Sequence, residues 1–88
     1  ISQAIYQVGA EVVGAFQEAG FSDSCYALDG TGRYKLDLVA ANREVLTAAG
    51  VRNIWQSPYC SFAEPALFYS HRRDKGRTGR HWALIKLP

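Results

Sequence analysis

The sequence predicts an α+β fold: a mixed sheet flanked by two helices, in the order α-β-β-α-β-β-β. Three observations carry this reading. Apolar residues recur at helical spacing in two stretches, and each stretch ends at a glycine. Five short segments are rich in β-branched and aromatic residues, as strands are. Clusters of Gly, Asp and Pro separate these stretches, as turns and loops require.

The first helix is expected over residues 3 to 19, "QAIYQVGAEVVGAFQEA", where Ile5, Val8, Val12, Phe16 and Ala19 form one apolar face. Ser2 stands where it would cap the start, and Gly20 stands at the C′ position. Gly9 and Gly14 weaken such a helix by about 1 kcal/mol each. Small residues there would also let another element approach closely. "SCYAL" and "RYKLDL" read as strands joined by the turn "DGTG", residues 29 to 32. Asp37 is the N-cap of the second helix, whose apolar face holds Leu38, Ala41, Val45, Leu46 and Ala49, with Gly50 as its stop. "VRNIWQ", "ALFYS" and "HWALIKL" read as three further strands, with the two-proline loop "SPYCSFAEP" between the first two.

At 88 residues and 48% hydrophobic, the chain has the size and composition of one small domain, taken as residues 1–88. It has no apolar run long enough for a membrane helix and no signal-peptide pattern, so a cytoplasmic location is expected. The chain starts at Ile1 and contains no Met. Removal of an initiator and a piece of a longer polypeptide both fit that start.

Charge is where the sequence is most uneven. Residues 1–70 carry four basic groups against seven acids, whereas residues 71–88 carry six against Asp74 alone. "HRRDKGRTGR" holds Arg72, Arg73, Lys75, Arg77 and Arg80, with Gly76 and Gly79 on either side of Arg77 and Thr78. Glycines let backbone N–H groups turn toward an anion, and arginines grip phosphate or carboxylate in bidentate fashion. A solvated hairpin tip is the competing reading.

Other chemistries find less support. Cys25, Cys60, His71 and His81 show no metal-ligand spacing, so no metal is assigned to this chain. Cys60 with His71 as base would make a nucleophile, but a free cysteine is more often a small buried hydrophobe. Nucleic-acid binding is disfavoured by a net charge of only +2 and by aromatics that fall at strand positions.

"YKLDLVAANREVLTAAGV", "YCSF" and "LFYSHRRDKGRTGRHWALIKL" together resemble the C-terminal part of the laccase-domain family. That family is also called multicopper polyphenol oxidase or YfiH-like, and its members are assigned as purine nucleoside phosphorylases. "QAIYQVGAEVVGAF" is similar to the family's C-C-Y-E-V-G-E-E-V stretch, with Ala4 and Ile5 in place of its cysteines. The match implies that Asp37, Leu38 and Asn42 correspond to the family's L-D-L…N helix start. Cys60 corresponds to its C-T-Y cysteine, with Ser61 and Phe62 following. Phe68, Ser70, Arg72, Arg73 and Asp74 correspond to F-F-S-Y-R-R-D, in which His71 replaces a common Tyr. Thr78, Gly79 and Arg80 correspond to T-G-R.

The resemblance implies that the fold is the C-terminal part of a larger α/β sandwich. The activity it implies is phosphorolysis of adenosine and inosine with deamination of adenosine. Arg72, Arg73, Arg80 and Thr78 are then expected to bind substrate. Asp37, Asn42, Cys60, Ser70, Asp74 and Gly79 are expected to hold the structure. Zinc (or copper) is expected in the full-length protein, on segments resembling Q-V-H-G, a-D-C and H-A-G-W-R-G that this chain lacks. The expected partners are that N-terminal part, a purine nucleoside and phosphate, with no membrane. Two rival classes are a basic module for nucleic acid or an acidic protein, and a copper-dependent oxidase of phenols.

Overall fold

A computed structural model of the chain describes residues 1–88. Its contacts divide it into two units, Ile1–Pro58 and Tyr59–Pro88. All regular elements lie in the first unit: β1 (Gln7–Val8), α1 (Ala10–Glu18), a single 3-10 turn (Asp23–Cys25), β2 (Tyr26–Leu28), β3 (Tyr34–Leu36) and α2 (Leu38–Ala48). The α+β class with two helices therefore holds.

Both helix ends lie where glycine places them. Gly20 and Gly50 adopt positive φ, 89° and 92°. In each case two backbone N–H groups fold back onto the last turn: Gly20 to Gln17 and Phe21 to Phe16, then Gly50 to Thr47 and Val51 to Leu46, all at 3.0–3.1 Å. These are Schellman closures, and the Phe16–Phe21 ring pair at 5.0 Å supplies the apolar contact that accompanies the first. The start of α2 is also as read: the Asp37 carboxylate accepts from the Ala40 N–H at 3.0 Å. Asp37→Ala is expected to cost about 1 kcal/mol, visible as a lowered urea midpoint with an unchanged slope.

The hairpin of β2 and β3 is antiparallel, with Tyr26 opposite Leu36 and Leu28 opposite Tyr34. Its turn is built on Asp29, whose carboxylate accepts from the Thr31 N–H at 2.9 Å and the Thr31 hydroxyl at 2.5 Å. A third donor is Gln7 Nε2, at 2.6 Å. The Gln7 and Thr31 bonds hold the Asp29 carboxyl well below the usual carboxylate range.

Two expectations are corrected. The first helix does not begin near residue 3. Gln7 and Val8 form a strand against Lys35 and Tyr34, and the Leu36 N–H bonds the Tyr6 carbonyl at 3.0 Å. Gly9 is extended (φ −83°, ψ 172°), and the helix starts after it without a side-chain cap. Pairing with the central strand outweighs the helical spacing of Ile5 and Val8, and Ser2 caps nothing of α1.

The second correction concerns the sheet. It has three strands in the order β1-β3-β2, all antiparallel rather than mixed. Residues 51–56, 66–70 and 81–87 form no strand. A strand needs a partner for its N–H and C=O groups, and none of these segments joins the β1-β3-β2 sheet. Leu67 and Phe68 instead turn back onto the Glu64 carbonyl. Trp82, Leu84, Ile85 and Leu87 are exposed, Ile85 by 99%.

The core is small. Val8, Val13 and Leu36 are buried, and Tyr6, Val12, Phe16, Tyr26, Tyr34 and Leu38 pack around them. No helix is long and apolar enough to cross a membrane.

Candidate functional site: the arginine block

The second unit is irregular and is held by turns and side-chain bonds. Ala63 and Glu64 N–H groups bond the Cys60 carbonyl at 3.1 Å, which bends the chain after Cys60. Ser70, buried at 7% exposure, opens the next bend. Its Oγ accepts from the Arg73 N–H at 3.2 Å, and its carbonyl accepts from the Asp74 N–H at 3.0 Å. The chain then reverses through Lys75 and Gly76, both at positive φ (52° and 83°). The Gly76 N–H bonds the His71 carbonyl and the Arg77 N–H bonds the Asp74 carbonyl, each at 3.0 Å. An uncommon left-handed lysine is thereby fixed between two hydrogen bonds.

Arg73 is the hub of this unit. Its Nε and Nη2 donate to the two Asp74 oxygens at 3.1 and 2.9 Å. Its Nη1 donates to the carbonyls of Ser61 and Phe62 at 3.1 and 3.3 Å, and Nη2 also donates to the Phe68 carbonyl at 3.1 Å. The hydrogen bonds from Arg73 hold the Asp74 carboxyl below its usual range, and the Thr78 side chain adds a further hydrogen bond to it. The same pairing keeps the Arg73 guanidinium protonated.

Arg72, Arg77 and Arg80 are exposed. Arg80 Nη1 lies 3.4 Å from His71 Nδ1. Gly79 lies against the Tyr69 ring, where an added Cβ would come within 2.7 Å of a ring carbon. His81 Nε2–H donates to the Tyr69 carbonyl at 2.9 Å, and its ring stacks on Phe68 with centroids 6.0 Å apart.

The structure thus gathers Ser70, Arg72, Arg73, Asp74, Thr78, Gly79 and Arg80 in one unit, with Cys60 at the bend that Arg73 spans. Asp37 and Asn42 belong to the other unit. Asp37 is the cap described above, and Asn42 is exposed on α2.

Sequence reasoning missed a second polar cluster. Glu44 on α2 accepts from the Ser22 N–H at 3.2 Å, from the Ser22 hydroxyl, and from the Cys25 thiol at 3.4 Å. Burial, followed by the bond to Glu44, pushes the Cys25 thiol up, so it is a poor nucleophile. Cys25 and Cys60 are not joined in a disulfide. Beside this cluster an open pocket of about 570 Å³ is lined by Ser24, Asp37, Arg43, Glu44 and Gln56, among others. Arg43 donates to Gln56 across it at 2.9 Å. Only the i, i+7 placement of Asp37 and Glu44 hinted at this arrangement.

Residues 1–88 match, over their whole length, the family described as multi-copper polyphenol oxidoreductase laccase. The chain belongs to this family. Among its laccase-domain relatives is a purine nucleoside phosphorylase of Deinococcus radiodurans, 48% identical over 83 residues, which cover 94% of this chain and 31% of the relative. Another is adenosine deaminase RL5, from an unknown prokaryotic organism, 46% identical over 89% of this chain and 32% of that protein. The solved structure of YlmD from Geobacillus stearothermophilus superimposes with a TM-score of 0.78 at 42% identity, covering 90% of this chain and 31% of that one. YfiH from Bacillus licheniformis gives 0.81 at 35% identity, with the same coverage. The chain therefore spans about a third of the length of the laccase-domain proteins it matches.

The metal implied by the family finds no seat among these residues. No three His, Cys, Asp or Glu side chains gather as a metal site requires.

Proposed function

We propose that residues 1–88 form the C-terminal part of a cytoplasmic purine nucleoside phosphorylase acting on inosine and adenosine, which also deaminates adenosine. The observation that carries the reading is the arginine block: a turn locked by Arg73 and Asp74 that leaves Arg80 and Arg77 exposed on a short, glycine-bearing loop. Relatives named purine nucleoside phosphorylase and adenosine deaminase support it.

In phosphorolysis an oxygen of inorganic phosphate forms a bond to C1′ of the ribose while the C1′–N9 bond breaks. The electron pair of that bond leaves with the purine, which takes up a proton at the end. Ribose 1-phosphate and the free base result. The protein must hold a dianion close to a centre that becomes positive, and must do so without flooding it with water. Arginine suits the task because its planar fork offers two parallel donors to phosphate oxygens. Arg72 and Arg80 are assigned to the phosphate, with the Thr78 hydroxyl at the edge of the same loop. The residues here do not fit zinc or copper. A zinc centre for the deamination would belong to polypeptide outside residues 1–88.

The test is turnover by the intact polypeptide. Inosine with phosphate should give hypoxanthine and ribose 1-phosphate, and omission of phosphate should abolish the sugar phosphate. Absence of turnover together with a steep salt dependence of oligonucleotide binding would replace the reading by a basic interaction module. Oxidation of phenols without nucleoside cleavage would replace it by an oxidase.

A further inference from the structure

We propose that Arg73 is a positioning residue that shapes the phosphate loop from within and does not touch phosphate. The inference rests on the reading of this block as the phosphate site and divides its arginines into two kinds.

A guanidinium has five N–H donors in a rigid plane. Arg73 makes five hydrogen bonds: Nε to Asp74, Nη1 to Ser61 and Phe62, and Nη2 to Asp74 and Phe68. Every donor direction is used, so a phosphate could be bound only by breaking bonds already made. Its charge is also matched. Asp74 takes the fork side-on through both oxygens, and the pair is only part-exposed, at 20% and 34%. An anion arriving at the loop meets a neutral pair there, whereas Lys75, Arg77 and Arg80 present exposed positive charge.

What Arg73 does instead is set by its acceptors. Three are main-chain carbonyls from two separate bends, Ser61–Phe62 and Phe68, and the fourth partner lies next to it in the chain. One side chain therefore fixes the distance between the Cys60 bend and the Ser70 bend. Its own N–H is fixed in turn by the Ser70 hydroxyl. Asp74, bonded also by Thr78, passes that constraint on to the Thr78–Arg80 segment. Arg72 and Arg80 leave the chain on either side of this tied frame, so their separation depends on it.

Lysine cannot replace this. It keeps the charge but offers three donors from one point and cannot span two bends. In the intact enzyme, Arg73→Lys and Arg73→Ala are both expected to lower kcat/KM for phosphate by about 10²-fold, with KM for inosine unchanged. Asp74→Asn should give a fall of the same order. The double variant Arg73→Ala/Asp74→Asn should be no worse than the poorer single, because the two residues act as a unit. A direct phosphate ligand predicts otherwise: partial retention in Arg73→Lys, little effect of Asp74→Asn, and additive losses. That pattern overturns the proposal.

Should the variants fail to fold, the wild-type protein still decides. In ¹⁵N spectra of the arginine Nε–H groups, saturating inorganic phosphate should shift Arg72 and Arg80 and leave Arg73 in place. Movement of the Arg73 signal overturns the positioning role alone. Immobility of all three signals while phosphorolysis proceeds overturns the phosphate-site reading, and the proposal with it.

Discussion

Leu36→Ala is expected to lower stability by about 2–5 kcal/mol, the largest effect of any single truncation in the 1–58 unit. Leu36 is 1% exposed and belongs to the central strand, between β1 and β2. It forms the buried cluster with Val8 and Val13, around which only partly buried side chains pack. Small domains have stabilities of about 5–15 kcal/mol, so this one change removes a large share. The loss combines the transfer free energy of the deleted methyl and methylene groups with a cavity that a three-stranded sheet cannot close. The measurement is urea unfolding followed by far-UV circular dichroism. Leu36→Val should lose clearly less than Leu36→Ala, since it keeps most of the volume. A loss below about 1 kcal/mol for the alanine variant would mean that the core does not centre on β3.

Arg80→Ala is expected to behave in the opposite way: an unchanged urea midpoint with kcat/KM for phosphate lowered by about 10²-fold. Arg80 is exposed, and its contact within the unit is the 3.4 Å approach to His71. Little of the fold depends on it, so any loss of activity reports on the ligand. Arg80→Lys should recover part of the activity, because a point charge still attracts phosphate without the second parallel donor. Equal activity of Arg80→Ala and wild type at limiting phosphate would remove Arg80 from the site. The contrast with Arg73 is the sharper result. Two arginines seven residues apart should fail for different reasons, one through its own contact and one through the geometry of others.

Much of the first unit was legible from local chemistry. Asp37 as a cap, Gly20 and Gly50 as stops and "DGTG" as the hairpin turn all depend on a side chain bonding its own neighbourhood, or on a φ that only glycine adopts freely. Such preferences are properties of a few consecutive residues. Residues 3–8 misled because Ile5 and Val8 satisfy helical spacing and strand pairing alike. Gln7 reaching Asp29, 22 positions away, belongs to the strand alternative and is invisible to periodicity. The Ser22–Cys25–Glu44 cluster was hidden for the same reason, as its members come from separate elements.

The amino-acid sequence by itself determined the α+β class, the C-terminal ends of both helices, the start of the second helix, the hairpin and the placing of positive charge at residues 72–80. Only the tertiary structure decided that Tyr6–Val8 add to the sheet, that the segments after residue 50 form no strand, and that Arg73 turns inward while Arg80 stays outside. The physical reason is the range of the forces concerned. Caps and left-handed turns are settled within one turn of chain. Strand pairing and the direction of a guanidinium depend on which distant carbonyls and carboxylates the fold brings within about 3 Å.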